Sequence, residues 1–299
     1  MKPGANAAEL PHLLRLLDDE SPAVRPVVID RLAAFGGTLA VELTRLPDPP
    51  GPDARRLLRE LLAGHHRGWL REAWPCWLDA DPDARKLEKA LALLAEFQGG
   101  RLDPRGLSEY LDDLALEFRR TRRKRDPAHL AEFLFESCGL AGAEQDYHHP
   151  DHSNLVHVIT EKRGIPISLT LTYMLVGGRL GLDIRGCSFP GHFLARVVRE
   201  GETVFVDCFH GGRFLRREDI LEVQAEASRP LARVLDAVPS AEAILLRVLN
   251  NLVRAYAAVN RPEDAALMRE LAQGMQATLA RHRSPRKLPA GPAAGPRSE

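Results

Sequence analysis

Apolar residues recur at helical spacing through the N-terminal third of the chain, interrupted by proline and glycine. One apolar series runs from Leu13 to Leu17 and a second from Val24 to Phe35, with an acidic turn ending in Ser-Pro between them. Spacings of three and four residues are typical of amphipathic helices. The pattern therefore predicts a helical N-terminal domain over residues 1–104, which ends in the glycine- and proline-containing stretch 99–104.

Strand patterns join the helical ones in the middle of the chain. A helix is expected over 107–118 and another after Pro166, where apolar residues keep helical spacing until Gly181. Three segments rich in Val, Ile and Phe predict strands: 184–189, 193–199 and 203–207. The pair Glu200-Gly201 is typical of a hairpin turn. We expect an α+β fold, in which residues 105–225 form a core of helices packed on a small antiparallel sheet.

Two more helices are expected towards the C-terminal end. One apolar stripe runs from Ile244 to Tyr256 and another from Ala265 to Met275, separated by Arg261-Pro262. We predict that residues 239–283 form a helix pair packed on the core, because a single pair cannot bury its apolar face alone. Residues 284–299 are rich in Pro, Gly, Ala and Arg and are expected to be disordered.

Three polar residues of the expected core occur in the order of a nucleophile, a base and an orienting carboxylate. Ser168 falls in the first turn of the second core helix, where free backbone N–H groups favour negative charge. If the hairpin pairs Arg199 with Glu202, His192 and Asp207 share one sheet face as diagonal neighbours. That order is the order of a Ser-His-Asp triad. The alternative is that Ser168 is an N-capping serine, which the helix start by itself favours.

The segments around these residues also carry a family resemblance. They read GIPISLTLTYMLVGGRLGL from Gly164, PGHFLARV from Pro190 and VFVDCFHGGRFL from Val204. Together they resemble the SirB-type branch of the transglutaminase-like superfamily, over about Leu107 to Asp219. In the broader superfamily a cysteine begins the helix, and histidine and aspartate lie on adjacent strands. By position the resemblance assigns the roles of that cysteine, histidine and aspartate, in that order, to Ser168, His192 and Asp207.

The flanking helices resemble two kinds of helical repeat. The first two predicted helices, with the turn between them, resemble one HEAT-like unit. Residues 239–283, with Asn250-Asn251 and the turn at Pro262, resemble a tetratricopeptide-like helix pair. These resemblances imply surfaces for packing or for contact with a protein partner.

Three functions are compatible with these residues. The preferred hypothesis is a transglutaminase-like module that lacks the nucleophilic cysteine and binds a protein or peptide without catalysis. The alternative is a hydrolase or acyltransferase that acts on amide or ester bonds through Ser168, His192 and Asp207. A third is a thiol enzyme that uses Cys187 or Cys208. A helix dipole, worth about 0.3–1 kcal/mol, cannot ionise an alcohol, and no Gly-x-Ser-x-Gly elbow surrounds the serine. The sequence therefore favours binding and leaves catalysis open.

Composition narrows the class of partner. The 299 residues include 41 basic and 41 acidic ones, so no overall field favours nucleic acid or a membrane surface. The basic run Arg119–Arg125 is compatible with contact to nucleic acid or to an acidic partner, but no aromatic residues interleave with it. It is therefore interpreted as a solvated helix end or loop. No apolar run is long enough to span a membrane, and the first residues lack a signal-peptide pattern. Four cysteines without a Cys-x-x-Cys pair complete the prediction of a cytoplasmic protein with reduced thiols.

One histidine-rich segment raises the question of a metal ion. It contains Asp146, His148, His149, Asp151 and His152. Imidazoles and carboxylates are common metal ligands, but Pro150 interrupts any helix that would align them. We therefore expect neither a metal nor another cofactor. The neighbouring Tyr147 and Asn154 are expected to support the cleft by hydrogen bonding.

Overall fold

The computed structural model describes residues 5–19, 21–223 and 228–283, and most of them are helical. The α-helices are α1 (Leu10–Arg15), α2 (Val24–Ala33), α3 (Leu39–Thr44), α4 (Pro52–Ala73), α5 (Asp83–Gln98), α6 (Leu107–Thr121), α7 (Pro127–Ala131), α8 (Leu155–Glu161), α9 (Pro166–Arg179), α10 (Arg217–Val223), α11 (Ser228–Asp236), α12 (Ala241–Ala258) and α13 (Pro262–Arg283). The strands are β1 (Ala141–Gly142), β2 (Arg163–Gly164), β3 (Arg185–Cys187), β4 (Leu194–Arg199), β5 (Glu202–Asp207) and β6 (Arg213–Leu215).

The first four helices enclose a small apolar core of their own. Leu10, Leu32, Leu43, Leu58 and Leu62 have no exposed surface in this core. The far end of α4 and all of α5 pack instead into a larger cluster that also includes α6, α9 and α12. The N-terminal helices therefore meet the rest of the protein through α4 and α5. The predicted domain limits at 104, 225 and 239 stay predictions.

Helix α9 lies at the centre of the larger cluster. Residues Pro166 to Tyr173 are all buried, and so are Leu175, Val176 and Gly177. A helix that is apolar on nearly every side is stable in water only when other elements surround it. Helices α6, α7 and α8 and strands β3 and β4 contact it. The helix begins at Pro166 and ends before Gly181, which has a φ of +75°, as the sequence predicted.

The second sheet is antiparallel, with the order β3-β4-β5-β6. Arg199 pairs with Glu202, and the ladder continues to Ala195 and Val206, which confirms the predicted register. Glu200 and Gly201 both have positive φ, as a two-residue type I′ turn requires. Strand β6 and the short parallel pair of β1 and β2 were not predicted. The α+β fold class is confirmed.

The regions on either side of the α9 core are helical. Trp74 and Trp77 are 6% and 1% exposed and pack edge to face, so both rings belong to the core and do not form a surface for a ligand. Helices α12 and α13 pack on each other, and α12 also contacts α5. The expected disorder of 284–299 lies outside the described residues. No helix in the described ranges is both long and apolar enough to cross a membrane.

Candidate functional site

The hairpin of β4 and β5 brings His192 and Asp207 together. Asp207 is the last residue of β5, and His192 lies just before β4 on the same face. The Nε2 atom of His192 is 2.8 Å from Oδ1 of Asp207, so the predicted contact between these side chains is confirmed. Since this nitrogen faces an ionised carboxylate, it carries the proton. Nδ1 is then the basic nitrogen of the neutral ring.

A second imidazole, that of His210, contacts the same carboxylate. Its Nδ1 atom is 2.7 Å from Oδ2 of Asp207, and its ring stacks on that of His192 with centroids 5.8 Å apart. The backbone N–H groups of Phe209 and His210 donate to Oδ1 at 3.1 and 3.2 Å. Burial raises the pKa of Asp207, but the hydrogen bonds from both histidines outweigh it, and the pKa is lowered to about 2. The carboxylate is therefore ionised and held in place from several sides.

Ser168 does not complete a triad by hydrogen bonding. Its side chain is buried, with the residue only 1% exposed. The hydroxyl accepts a hydrogen bond from the N–H of Ile165 at 3.0 Å and donates to the carbonyl of His152 at 2.6 Å. In the described structure no hydrogen bond links it to His192. Ser168 is the third residue of α9, so it caps the helix from inside its first turn and is not the N-cap residue, which is Ile165.

The two cysteines considered as substitute nucleophiles are both buried. Burial raises the pKa of Cys187 to about 11 and that of Cys208 still further. Because the thiolate is the nucleophile, neither thiol is activated by its surroundings. The third hypothesis therefore has no structural support at these positions.

A cleft of about 570 Å³ opens beside His192. One wall comes from the start of α9 and the segment before β4, and includes Ile165, Pro166 and His192. Tyr147 lines the cleft with 37% of its surface exposed, while Asn154 is buried and caps α8 by accepting from the N–H of Val156 at 3.0 Å. Asn154 therefore stabilises the start of α8 and does not line the cleft.

Helix α12 supplies the opposite wall. Its residues that line the cleft lie on one helical face: Ala243, Leu246, Arg247, Asn250, Asn251, Arg254 and Ala255. Arg247 donates through Nη2 to the carbonyls of Phe189 and His192, at 3.1 and 3.0 Å. The segment that carries His192 is thus held by the helix across the cleft.

The side chains best placed to hold a metal ion are His192, Asp207 and His210. One ligand atom from each lies within 4.8 Å of the others. This set differs from the histidine-rich segment considered in the sequence, because no residue of that segment belongs to such a group among the described residues. A divalent ion would have to displace the two hydrogen bonds that already connect these three side chains. Imidazole and carboxylate side chains are suitable ligands for a metal ion. In this structure, however, hydrogen bonds already hold the three side chains together without an ion.

Comparison with known proteins identifies the class of the core. Residues 106–250 match the model of the Transglutaminase-like superfamily, so the chain contains a transglutaminase-like domain. This finding confirms the superfamily resemblance expected from the sequence. It does not bear on the HEAT-like and tetratricopeptide-like resemblances, which stay predictions.

Curated relatives share parts of this chain. A UPF0162 protein of Xylella fastidiosa is 37% identical over 141 residues, which cover 45% of this chain and 50% of the relative. A UPF0162 protein of Vibrio cholerae is 30% identical over 100 residues, 33% of this chain and 37% of the relative. F-box only protein 21 of Mus musculus is 28% identical over 128 residues, 40% of this chain and 20% of the relative. The chain thus spans half or less of the length of these relatives. No solved structure matches it at a significant level.

Two parts of the site were not predicted from the sequence. His210 follows Asp207 by three residues in a turn, where an aspartate commonly accepts hydrogen bonds from the residues after it, so that spacing was a usable signal. The arginines of α12 carried no local signal. Their importance depends on where the helix packs, because the same residues on a solvent-facing surface would be ordinary.

Proposed function

We propose that the transglutaminase-like domain is a non-catalytic module that binds a protein or peptide in the cleft between α9 and α12. The observation that carries this proposal is the position of the Ser168 hydroxyl. It is buried, and its hydrogen bonds go to the backbone of Ile165 and His152. A serine nucleophile needs a base within hydrogen-bonding reach, and the described structure provides no such bond for this hydroxyl.

The shape and lining of the cleft support the binding part of the proposal. Its volume of about 570 Å³ lies in the range of ligand sites and suits several side chains of a segment. The walls combine apolar surface, such as Ile165 and Leu246, with amides that can pair with a peptide backbone, such as Asn250 and Asn251. The partner is therefore a protein or peptide rather than nucleic acid. Cytoplasmic location and the use of the HEAT-like and tetratricopeptide-like flanks as docking surfaces belong to the same proposal.

The second candidate is a hydrolase or acyltransferase of amide or ester bonds. It is favoured by the bond between His192 and Asp207, which leaves Nδ1 of His192 as the basic nitrogen. In that mechanism Ser168 would have to leave its backbone partners and donate to this nitrogen.

A pair of experiments separates the two functions. Wild-type protein, Ser168→Ala and His192→Ala are each treated with a fluorophosphonate probe, which labels activated serines. We expect no labelling of Ser168 above the level of the alanine variant. Labelling of Ser168 that His192→Ala abolishes would establish the enzyme and overturn the proposal.

The second experiment tests peptide binding with a displayed library of random peptides. Wild-type protein is the bait, and selected peptides are measured again with Ala243→Trp, which fills the cleft from an exposed position on α12. Ala266→Trp, at an exposed position of α13 outside the cleft lining, is the matched control. We expect at least about tenfold weaker binding to Ala243→Trp and unchanged binding to the control. Peptides that bind both variants equally well would place the binding surface elsewhere.

A further inference from the structure

The charges that line the cleft are of one sign. The titratable lining residues are Tyr147, His148, His149, His192, Arg247 and Arg254, and none of the described lining residues is Asp or Glu. The chain as a whole has equal numbers of acidic and basic residues, so this bias is local. A concave surface with cations alone concentrates anions by focusing the field into the cleft.

Arg247 is the more informative of the two arginines. It is half-buried, and its guanidinium carbon lies 5.4 Å from the ring centre of Phe193. Burial lowers its pKa, because the charged form loses water, and no carboxylate of the described residues forms an ion pair with it. Nη2 donates to two carbonyls, while Nε and Nη1 have no hydrogen-bond acceptor in the described part of the protein. A half-buried guanidinium with two unpaired donors and no counter-ion among the described residues is suited to bind an external oxyanion.

Arg254 extends the same surface. It lies seven residues after Arg247, which is two turns along one face of α12, or about 10 Å. It is exposed and has no hydrogen bond or ion pair to the described residues. A segment in the polyproline II conformation has three residues per turn and a rise of about 3.1 Å, so side chains three residues apart lie on one side, about 9 Å from each other. Two acidic groups at that spacing can therefore reach one arginine each. Between the arginines, the side-chain amides of Asn250 and Asn251 form no hydrogen bond with the described residues and can pair with the backbone of the segment.

We infer that the cleft binds an acidic peptide segment, whose anionic oxygens pair with Arg247 and Arg254. This inference rests on the proposed peptide-binding function and adds the chemistry of the ligand. The histidines contribute less, since His149 already lies 3.6 Å from the carboxylate of Asp151. Carboxylate and phosphorylated side chains offer the same kind of oxygen. The experiment therefore compares both.

The test measures binding of matched fluorescent peptides by anisotropy. A peptide from the display selection is made in three versions, with Glu, Gln or phosphoserine at two positions three residues apart. Arg254→Gln is the main variant, because an exposed substitution leaves the fold intact. Arg247→Lys is the second, since it keeps the charge but loses the forked donor geometry. The matched control is Arg123→Gln, which changes an exposed arginine of the basic run that does not line the cleft.

We expect the Glu peptide to bind wild-type protein about tenfold more tightly than the Gln peptide. The difference should shrink in Arg254→Gln and Arg247→Lys, persist in Arg123→Gln, and weaken as salt is raised. Tighter binding of the phosphoserine version, with the same dependence on Arg254, would support the site and assign it to phosphorylated segments. Equal binding of the Glu and Gln peptides, or a difference that survives in Arg254→Gln, would overturn the inference and leave peptide binding itself intact.

A small-anion measurement separates this inference from the proposed function. Thermal unfolding is followed with glutarate and with inorganic phosphate as probes. If no peptide binds, but an anion raises Tm in wild-type protein and Arg123→Gln and not in Arg254→Gln, the anion site is supported and the peptide-binding function is not. If neither peptides nor anions bind, both are overturned.

Discussion

Removal of the Ser168 hydroxyl tests whether that residue is structural. In Ser168→Ala the N–H of Ile165 loses its acceptor at 3.0 Å and the carbonyl of His152 loses its donor at 2.6 Å. These two backbone groups keep only the long bond between them, at 3.3 Å. A buried polar group left without a partner costs about 1–3 kcal/mol. Since both groups retain one weak bond, we expect the free energy of unfolding to fall by about 2 kcal/mol.

The matched control is another serine at a helix start. Ser240 caps α12 from an exposed position, where its hydroxyl accepts from the N–H of Ala243 at 3.3 Å. Water can replace that acceptor, so Ser240→Ala should cost about 1 kcal/mol or less. Urea denaturation at neutral pH gives both values, and an unchanged m-value shows that the denatured state is the same.

A small loss of stability in Ser168→Ala would refute this reasoning. If Ser168→Ala changes the free energy of unfolding by less than about 0.5 kcal/mol, or by no more than Ser240→Ala, the hydroxyl does not hold the backbone as described. The main argument against a catalytic serine would then be lost. A large effect with unchanged peptide binding would show that the hydroxyl supports the site without taking part in it.

Three further predictions concern the site and its surroundings. The pKa of Asp207, about 2, lies below the unfolded value of 3.8. The ionised carboxylate therefore contributes about 2 kcal/mol to the free energy of unfolding above about pH 4, and this contribution is lost as the pH falls towards 2. The difference in free energy of unfolding between wild-type protein and Asp207→Asn, measured by denaturation at several pH values, should shrink over that range. A difference that stays constant would contradict the prediction. Gly212 has a φ of +73°, and an added Cβ would lie 2.4 Å from the Phe135 ring. Gly212→Ala should therefore lower the free energy of unfolding, measured by urea denaturation, by about 3 kcal/mol. Gly211 also has positive φ but has open space around it, so Gly211→Ala should lower it by only about 1 kcal/mol. Addition of a chelator should leave Tm unchanged, because the imidazoles of His192 and His210 already donate hydrogen bonds to the Asp207 carboxylate. A clear fall in Tm would reveal a bound metal ion.

Local sequence signals were sufficient for the hairpin and for α9. The turn Glu200-Gly201 favours the primed geometry, and the alternation of side chains then fixes which residues of the two strands share a face. Contact between His192 and Asp207 follows from that register. Helix α9 was predictable because Pro166 and Gly181 mark its ends and apolar residues fill the space between them.

The environment of Ser168 was not predictable in the same way. Its acceptor, the carbonyl of His152, belongs to the short 3-10 turn Pro150–Ser153, where no periodicity specifies the path of the chain. The cleft posed a similar difficulty, since Arg247 becomes part of it only when α12 packs beside α9. Long-range placement of irregular segments and of polar helix faces is set by tertiary packing, which no local pattern encodes.

The pairing of His192 with Asp207 has a structural use that is independent of catalysis. The His192 side chain is tied to the end of β5, and its carbonyl accepts from Arg247 on α12 at 3.0 Å. The carbonyl of the next residue, Phe193, accepts from Thr170 on α9 at 3.1 Å. This segment therefore joins the sheet to both helices that form the cleft, and losing the imidazole or the carboxylate would move a wall of the binding site. An imidazole–carboxylate pair at this position therefore does not establish hydrolysis by itself, and the atom that separates a binding module from an enzyme is Oγ of Ser168.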